Sequence, residues 1–218
     1  MGEVMVKIVH KASGKTLLKA RNDSIRGCVL TGHDLSGADF SGQDLSGCKF
    51  NGCNLCDSDF GGANLSLSQM VNSVMRRANF SGANLDNANF SDNILDEAKF
   101  VGATAIGTKF RHSKANQANF AKSNLSEADF FFSEVRSNFT GATLVGTNFF
   151  GADMTKADFT NADLRKAIMT DATIRRAVFA AAKMEGCIGT NGEPWGYTFK
   201  PKEKQKKSWW KVFSNAAV

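Results

Sequence analysis

The sequence has no run approaching about eighteen consecutive apolar residues, so no segment reads as a membrane-crossing helix. Its start, MGEVMVKIVHK, lacks an apolar stretch followed by a cleavage site, which argues against a secretory signal. Tyrosine occurs once, proline twice and tryptophan three times in 218 residues. No Ser/His/Asp set, phosphate-binding glycine loop or pair of catalytic carboxylates is recognisable. No constellation of residues asks for an enzyme, and none asks for a cofactor. The five cysteines, at 28, 48, 53, 56 and 187, are an odd set without a signal peptide. Reduced thiols in a cytoplasmic compartment are the expectation.

What the chain has in excess is phenylalanine, 18 residues of it, and a hydrophobic fraction of 42% that excludes wholesale disorder. The formal charge of +6 is unevenly placed. Residues 1–26 and 188–218 each carry +4, whereas 27–187 sum to −2. Within that middle, 27–100 is −5 and 101–187 is +3. Any affinity for polyanions is therefore expected at the ends, and nucleic acid is not expected along the body.

From Leu30 to Val135 every fifth residue is Leu, Phe, Met, Ala or Val, which makes 22 units. One residue is then missing, because the next unit is Arg136-Ser-Asn-Phe139, and the period resumes to Met184 for ten more. Two residues before each of these centres stands Ala, Ser, Thr or Cys in 29 of the 32 units, the exceptions being His33, Gln43 and Asn93. A period of five fits neither an amphipathic helix nor a flat strand. It fits a coil with one unit per side, the centre filling the interior and the small residue letting the backbone come close.

A second pattern lies on the centres. Phe stands at 40, 60, 80, 100, 120, 139, 159 and 179, and five Phe and two Met stand at 50, 70, 90, 110, 130, 149 and 169. The sixteen intervening centres, from Leu35 onward, hold no Phe. This alternation proves a period of ten. Ten residues make too tight a ring to enclose two layers of side chains, so twenty per coil is the reading, with like residues on opposite walls. The missing residue shortens one corner and leaves the columns in place.

The units, as in ADFSG at 38–42 and ANLDN at 83–87, resemble the pentapeptide repeat family. The resemblance implies an all-β fold, a right-handed quadrilateral β-helix of about eight coils over 27–187. The ends should cover the open edges of the coiled sheet. VMVKIVH and TLLKA around KASGK predict an N-terminal hairpin cap within residues 1–26, lying near Cys28 and His33. At 188–218 a glycine-containing linker and a basic stretch precede SWWKVFSNAAV, a short amphipathic helix with Trp209, Val212 and Phe213 on one face beside Trp210. These residues are candidates for a cap, for a homodimer contact that the resemblance to some family members suggests, or, with 200–218 as a whole, for an anionic membrane surface.

Little else carries chemistry. In this register Cys53 points in and Cys56 points out, so CNLC is not a metal pair; Cys28 and Cys48 share a slot one coil apart. His10 and His112 have no visible partners. On the outside, Phe131 and Phe150 follow centres in one column, with Phe132 beside them and Arg111 one coil earlier in the same slot. Exposed aromatics clustered on a rod mark a candidate contact site for a protein partner. The expected function is a non-enzymatic protein-interaction or scaffold module. The alternatives are imitation of DNA against a type II topoisomerase, which the resemblance to quinolone-resistance members suggests, and tail-mediated membrane association.

Overall fold

The computed structural model describes residues 6–20 and 25–196. Trp209, Trp210, Val212 and Phe213, with the helix expected around them, lie outside the described residues.

The repeat forms a coil whose successive turns pair as parallel bridges between residues 20 apart, such as Asp59↔Asn79 and Asn79↔Lys99. Four five-residue units therefore make one turn. The register drops to 19 only across the missing residue, at pairs such as Asn119↔Asn138, and returns to 20 at Asn138↔Asp158.

The unit can be explained by asking where its five amide N–H groups go. In the unit centred on Phe60, the Phe60 amide donates to Asn79 of the next coil and the Gly62 amide to Ser81 of that coil. The Asp59 amide donates to Ala38 of the previous coil, and the Ala63 amide closes a β-turn on Phe60. The fifth, on Gly61, has no backbone acceptor and takes Asp59 Oδ1 at 2.9 Å. Asp or Asn before the centre thus supplies an acceptor that the backbone lacks. The same Asx contact joins Ser81 to Asn79, Ala121 to Asn119 and Thr155 to Asp153.

The third residue of every such turn is left-handed. Gly fills many of these positions, and most of the others hold Asn, Asp, Lys, Glu, Gln or Arg at φ near +60°, as at Asn87 (58°) and Lys122 (60°), with Leu67, His112, Phe132 and Ala181 the remaining occupants. The slot two before the centre is buried and small. Where it carries a hydroxyl, that group in most cases donates inward to a carbonyl, as Ser58 Oγ does to Leu55 O at 2.7 Å and Thr108 Oγ1 to Leu85 O at 2.7 Å; Ser68 Oγ is buried without such a partner. Asn93 is tolerated there because both ends are used: Oδ1 accepts from Ser73 N at 2.7 Å and Nδ2 donates to Phe90 O at 3.0 Å.

The centres fill the interior. Phe40, Phe60, Phe80, Phe100, Phe120, Phe139, Phe159 and Phe179 form one continuous stack with centroid spacings of 4.6–5.1 Å and planes within 7°. The opposite column meets it edge to face, as at Phe100–Phe110, 5.8 Å and 87°. Offset stacking along the axis and perpendicular contact across it are the two arrangements that the ring quadrupole favours.

The N-terminal hairpin consists of β1 (Val6–His10) and β2 (Thr16–Ala20), which pair antiparallel. β1 also pairs antiparallel with β3 (Ala38–Asp39), filling the edge that no earlier coil occupies. Ile8 is fully buried in the core. The hairpin therefore docks further along the first coil than the expected neighbourhood of His33, which is exposed. The contact is close at Gly37: a Cβ there would sit 2.5 Å from His10 Nε2, so a larger residue would have to displace the His10 ring. At the other end, residues 188–196 fold back rather than run on. Ile188 bridges Pro194 antiparallel, and the Trp195 ring lies 5.1 Å from Phe179, closing the aromatic stack.

Truncation in the middle of the stack tests this packing. Phe100→Ala removes a ring held 4.9 Å from Phe80 and 4.6 Å from Phe120, and should cost about 3–5 kcal/mol in urea unfolding. A loss below about 1 kcal/mol would mean that the columns do not hold the coils together.

Candidate functional site

The outward corner that follows the Phe50-to-Met169 column gathers the predicted contact residues. Successive coils present Arg111-His112, Phe131-Phe132 and Phe150-Gly151 there, linked through the backbone by His112 N to Phe131 O at 3.0 Å and Phe132 N to Phe150 O at 2.9 Å. Asx contacts fix the aromatic pair: Phe131 N donates to Asp129 Oδ1 at 3.1 Å and Phe150 N to Asn148 Oδ1 at 3.0 Å. The Phe131 and Phe150 rings stack at 5.5 Å and 15°. Phe132 meets Phe131 edge on at 4.7 Å and Phe150 at 5.8 Å. The Arg111 guanidinium lies 5.9 Å from the Phe131 centroid and is anchored by an ion pair with Asp129.

All four predicted residues, Arg111, Phe131, Phe132 and Phe150, thus share one corner. A fifth belongs with them. His112 packs against Phe131 at 5.7 Å and Phe132 at 6.4 Å. The reading that His112 lacks partners is corrected: it stands twenty residues before Phe132, in the same slot, and the repeat register alone could have placed it.

Phe132 is the unusual member. It occupies the left-handed turn position at φ +49° and is 52% exposed. A bulky aromatic at positive φ is an outlier with a strain of about 1–2 kcal/mol relative to glycine. Its ring covers Gly151, where a Cβ would come within 2.8 Å of the ring carbons. One position is strained to expose a ring, and the position beneath it is glycine to make room.

The thiols offer no second site. Cys53 Sγ donates inward to Leu30 O at 2.7 Å while Cys56 lies on the half-exposed corner, so the CNLC side chains diverge. All five cysteines are free. Burial pushes the Cys48 and Cys187 thiols up to about 11 and raises Cys28 and Cys53 as well. Among the described residues no group of three or more His, Cys, Asp or Glu could hold a metal ion, and no helix is long and apolar enough to cross a membrane.

With this geometry established, the chain matches the family model of the pentapeptide repeat region over residues 43–120 and that of pentapeptide repeats over 135–171 and 152–188. Together these spans exceed half of the chain, and it belongs to the pentapeptide repeat family, whose right-handed β-helix is the fold described above. No curated protein matches. Similar solved structures include HetL from the cyanobacterium Nostoc sp. strain PCC 7120, involved in heterocyst differentiation regulation. It is 20% identical with a TM-score of 0.27, over 78% of this chain and 93% of that one. QnrB1, a plasmid-mediated fluoroquinolone resistance protein, is 21% identical with a TM-score of 0.39, over 73% and 90%. Rfr23 from the cyanobacterium Cyanothece 51142 is 17% identical with a TM-score of 0.24, over 70% and 88%.

Two outcomes follow. Phe132→Gly, which relieves the left-handed strain but removes ring contacts, should leave the melting temperature unchanged or raise it; a fall of several degrees would show that the ring serves the fold. In thiol labelling at pH 8, Cys56 and Cys28 should react first, and Cys48, Cys53 and Cys187 only on unfolding; rapid native labelling of Cys48 would contradict the buried, protonated state.

Proposed function

We propose that this chain is a non-enzymatic docking rod whose protein partner is held at the Phe131, Phe132 and Phe150 corner. The observation that carries this reading is Phe132, a half-exposed ring kept at positive φ and completing a cluster with two stacked rings and a histidine. Solvent-exposed aromatics cost solubility, and because the fold fixes a left-handed φ at this slot, a bulky ring there adds strain that glycine or a small polar residue would avoid. The aromatic cluster, flanked by an anchored arginine, has the composition of an interface hot spot.

Imitation of DNA against a type II topoisomerase is the weaker reading. A mimic needs a strong negative field along the rod, whereas residues 27–187 sum to only −2 and only 27–100, at −5, lean that way. A gyrase supercoiling assay with and without the protein separates the two.

The direct test is capture from native host extract with wild type and with Phe131→Asp combined with Phe150→Asp. Both substitutions fall on outward positions, so the fold should survive, which circular dichroism checks. A protein retained by wild type should be lost from the double variant, with at least about a tenfold drop in affinity. Identical retained sets would overturn the proposal.

A further inference from the structure

The missing residue does more than shorten a corner. Every regular corner carries two outward turn residues, but the corner after Val135 carries only Arg136 before the chain turns in at Ser137. The backbone recedes there and leaves an open notch of about 480 Å³ lined by Gln117, Asn119, Arg136, Ser137, Asn138, Lys156 and Asp158. Gln117 stands above it and Lys156 below, both left-handed turn residues that project past the recess (φ 59° and 64°).

Ion pairs take up only part of the positive charge on the rod. Arg76, Arg77, Arg111, Arg136 and Arg165 each pair with an aspartate. Lys156 and, one coil further along the same corner, Arg175 and Arg176 have no ion pair among the described residues; Lys49, Lys99, Lys109, Lys122, Lys166 and Lys183 have none either, but only this corner gathers three such cations within two coils. The neighbouring acids are occupied: Asp153 accepts from Arg136 Nη2 at 2.6 Å and Asp158 from Thr160 N at 2.9 Å. Lys156 at the recess and the adjacent Arg175 and Arg176 one coil repeat of about 4.8 Å further on thus form a cluster of three cations, beside a lining in which amide and hydroxyl groups accompany Arg136 and Asp158.

The notch and the aromatic corner border the same wall of the rod. Residues 132–136 run from one to the other, so Phe132 and Arg136 are four residues apart, about 13 Å of extended chain. We propose that this wall receives an acidic segment of a protein partner, its carboxylates seated in the notch and along Lys156, Arg175 and Arg176, and its apolar side chains on the aromatic corner. Continuity with the apolar Phe131, Phe132 and Phe150 corner, and the neutral amide and hydroxyl groups of Gln117, Asn119, Ser137 and Asn138 in the lining, favour a peptide, which offers apolar side chains to the one and backbone hydrogen-bonding groups to the other. This inference rests on the docking reading above and names the chemistry of the partner.

A fluorescein-labelled peptide of twenty glutamates serves as the probe, followed by anisotropy at low salt. A single-stranded oligonucleotide of equal charge serves as the comparison. Wild type should bind the peptide saturably, with affinity falling steeply as salt rises. Lys156→Glu with Arg176→Glu should weaken it by about tenfold or more, while Lys49→Glu with Lys99→Glu, an equal change of charge on other outward positions, should weaken it by less than about threefold. Insertion of one Gly between Arg136 and Ser137 restores a regular corner, and should fill the notch and weaken binding while leaving the circular dichroism spectrum unchanged. Phe131→Asp with Phe150→Asp, which tests the docking reading, should leave most of the peptide binding intact, so the two can fail separately. Equal weakening by both charge pairs, full affinity in the Gly-insertion variant, or tighter binding of the oligonucleotide would each overturn the inference.

Discussion

The structure depends on one constraint: each turn of the coil must return the backbone to the same place, so that amides meet carbonyls and rings meet rings on the next turn. The same register serves both. A bridge such as Asn79↔Lys99 and a stack such as Phe80–Phe100 are both offsets of twenty residues, and neither could shift without breaking the other. A one-residue slip in the middle of a wall would turn a Phe outward and a polar residue inward, exposing an aromatic side chain and burying an unpaired group at once. This coupling gives the repeat its regularity over 32 units.

The exception shows where the constraint is slack. Across the missing residue the bridges change from 20 to 19, yet Phe120 and Phe139 remain stacked at 5.0 Å and 4°. The turn residues point outward and contribute nothing to the columns, so one can be lost without disturbing the core. The same freedom lets the left-handed slot hold Gly, Asn, Lys, Glu or Phe132. In this fold the interior and the surface are independent: stability is set at the centres, and individuality is confined to the outward positions.

That independence decides what could be read from the sequence. The Phe alternation reveals the columns, and the slot of each residue follows from its number, which is why the sequence alone places Arg111, Phe131, Phe132 and Phe150 together. His112 is within reach of the same arithmetic, because its partners stand one coil away in register and not beside it in sequence. The role of Asp and Asn before the centre was legible in kind, since only a side-chain acceptor serves a turn amide. The docking of β1 on Ala38–Asp39 was not legible, because any bare edge of the first coil offers the same unpaired groups and the choice depends on where the hairpin can lay Ile8 into the core. Nor was the fold-back of Trp195 onto Phe179, since glycine-rich sequence at 188–196 reads as a linker and only the exposed end of an aromatic column gives it somewhere to land.

A solenoid with uniform walls has nothing to distinguish one coil from the next, so a recognition site on it must be a local departure that the core can ignore. Two such departures occur on adjoining corners of one wall. At Phe132 a position that favours glycine holds a ring, which adds a ridge at the expense of backbone strain. At Arg136 a position that every other corner fills is absent, which makes a recess at no expense to the columns. The ridge is apolar, and the recess leads along its own corner to Lys156, Arg175 and Arg176, three cations without an ion pair among the described residues. Departures scattered at random would fall on any of four corners and any coil. Their meeting on one wall, within the reach of a short extended segment, is the strongest reason to regard them as a single surface.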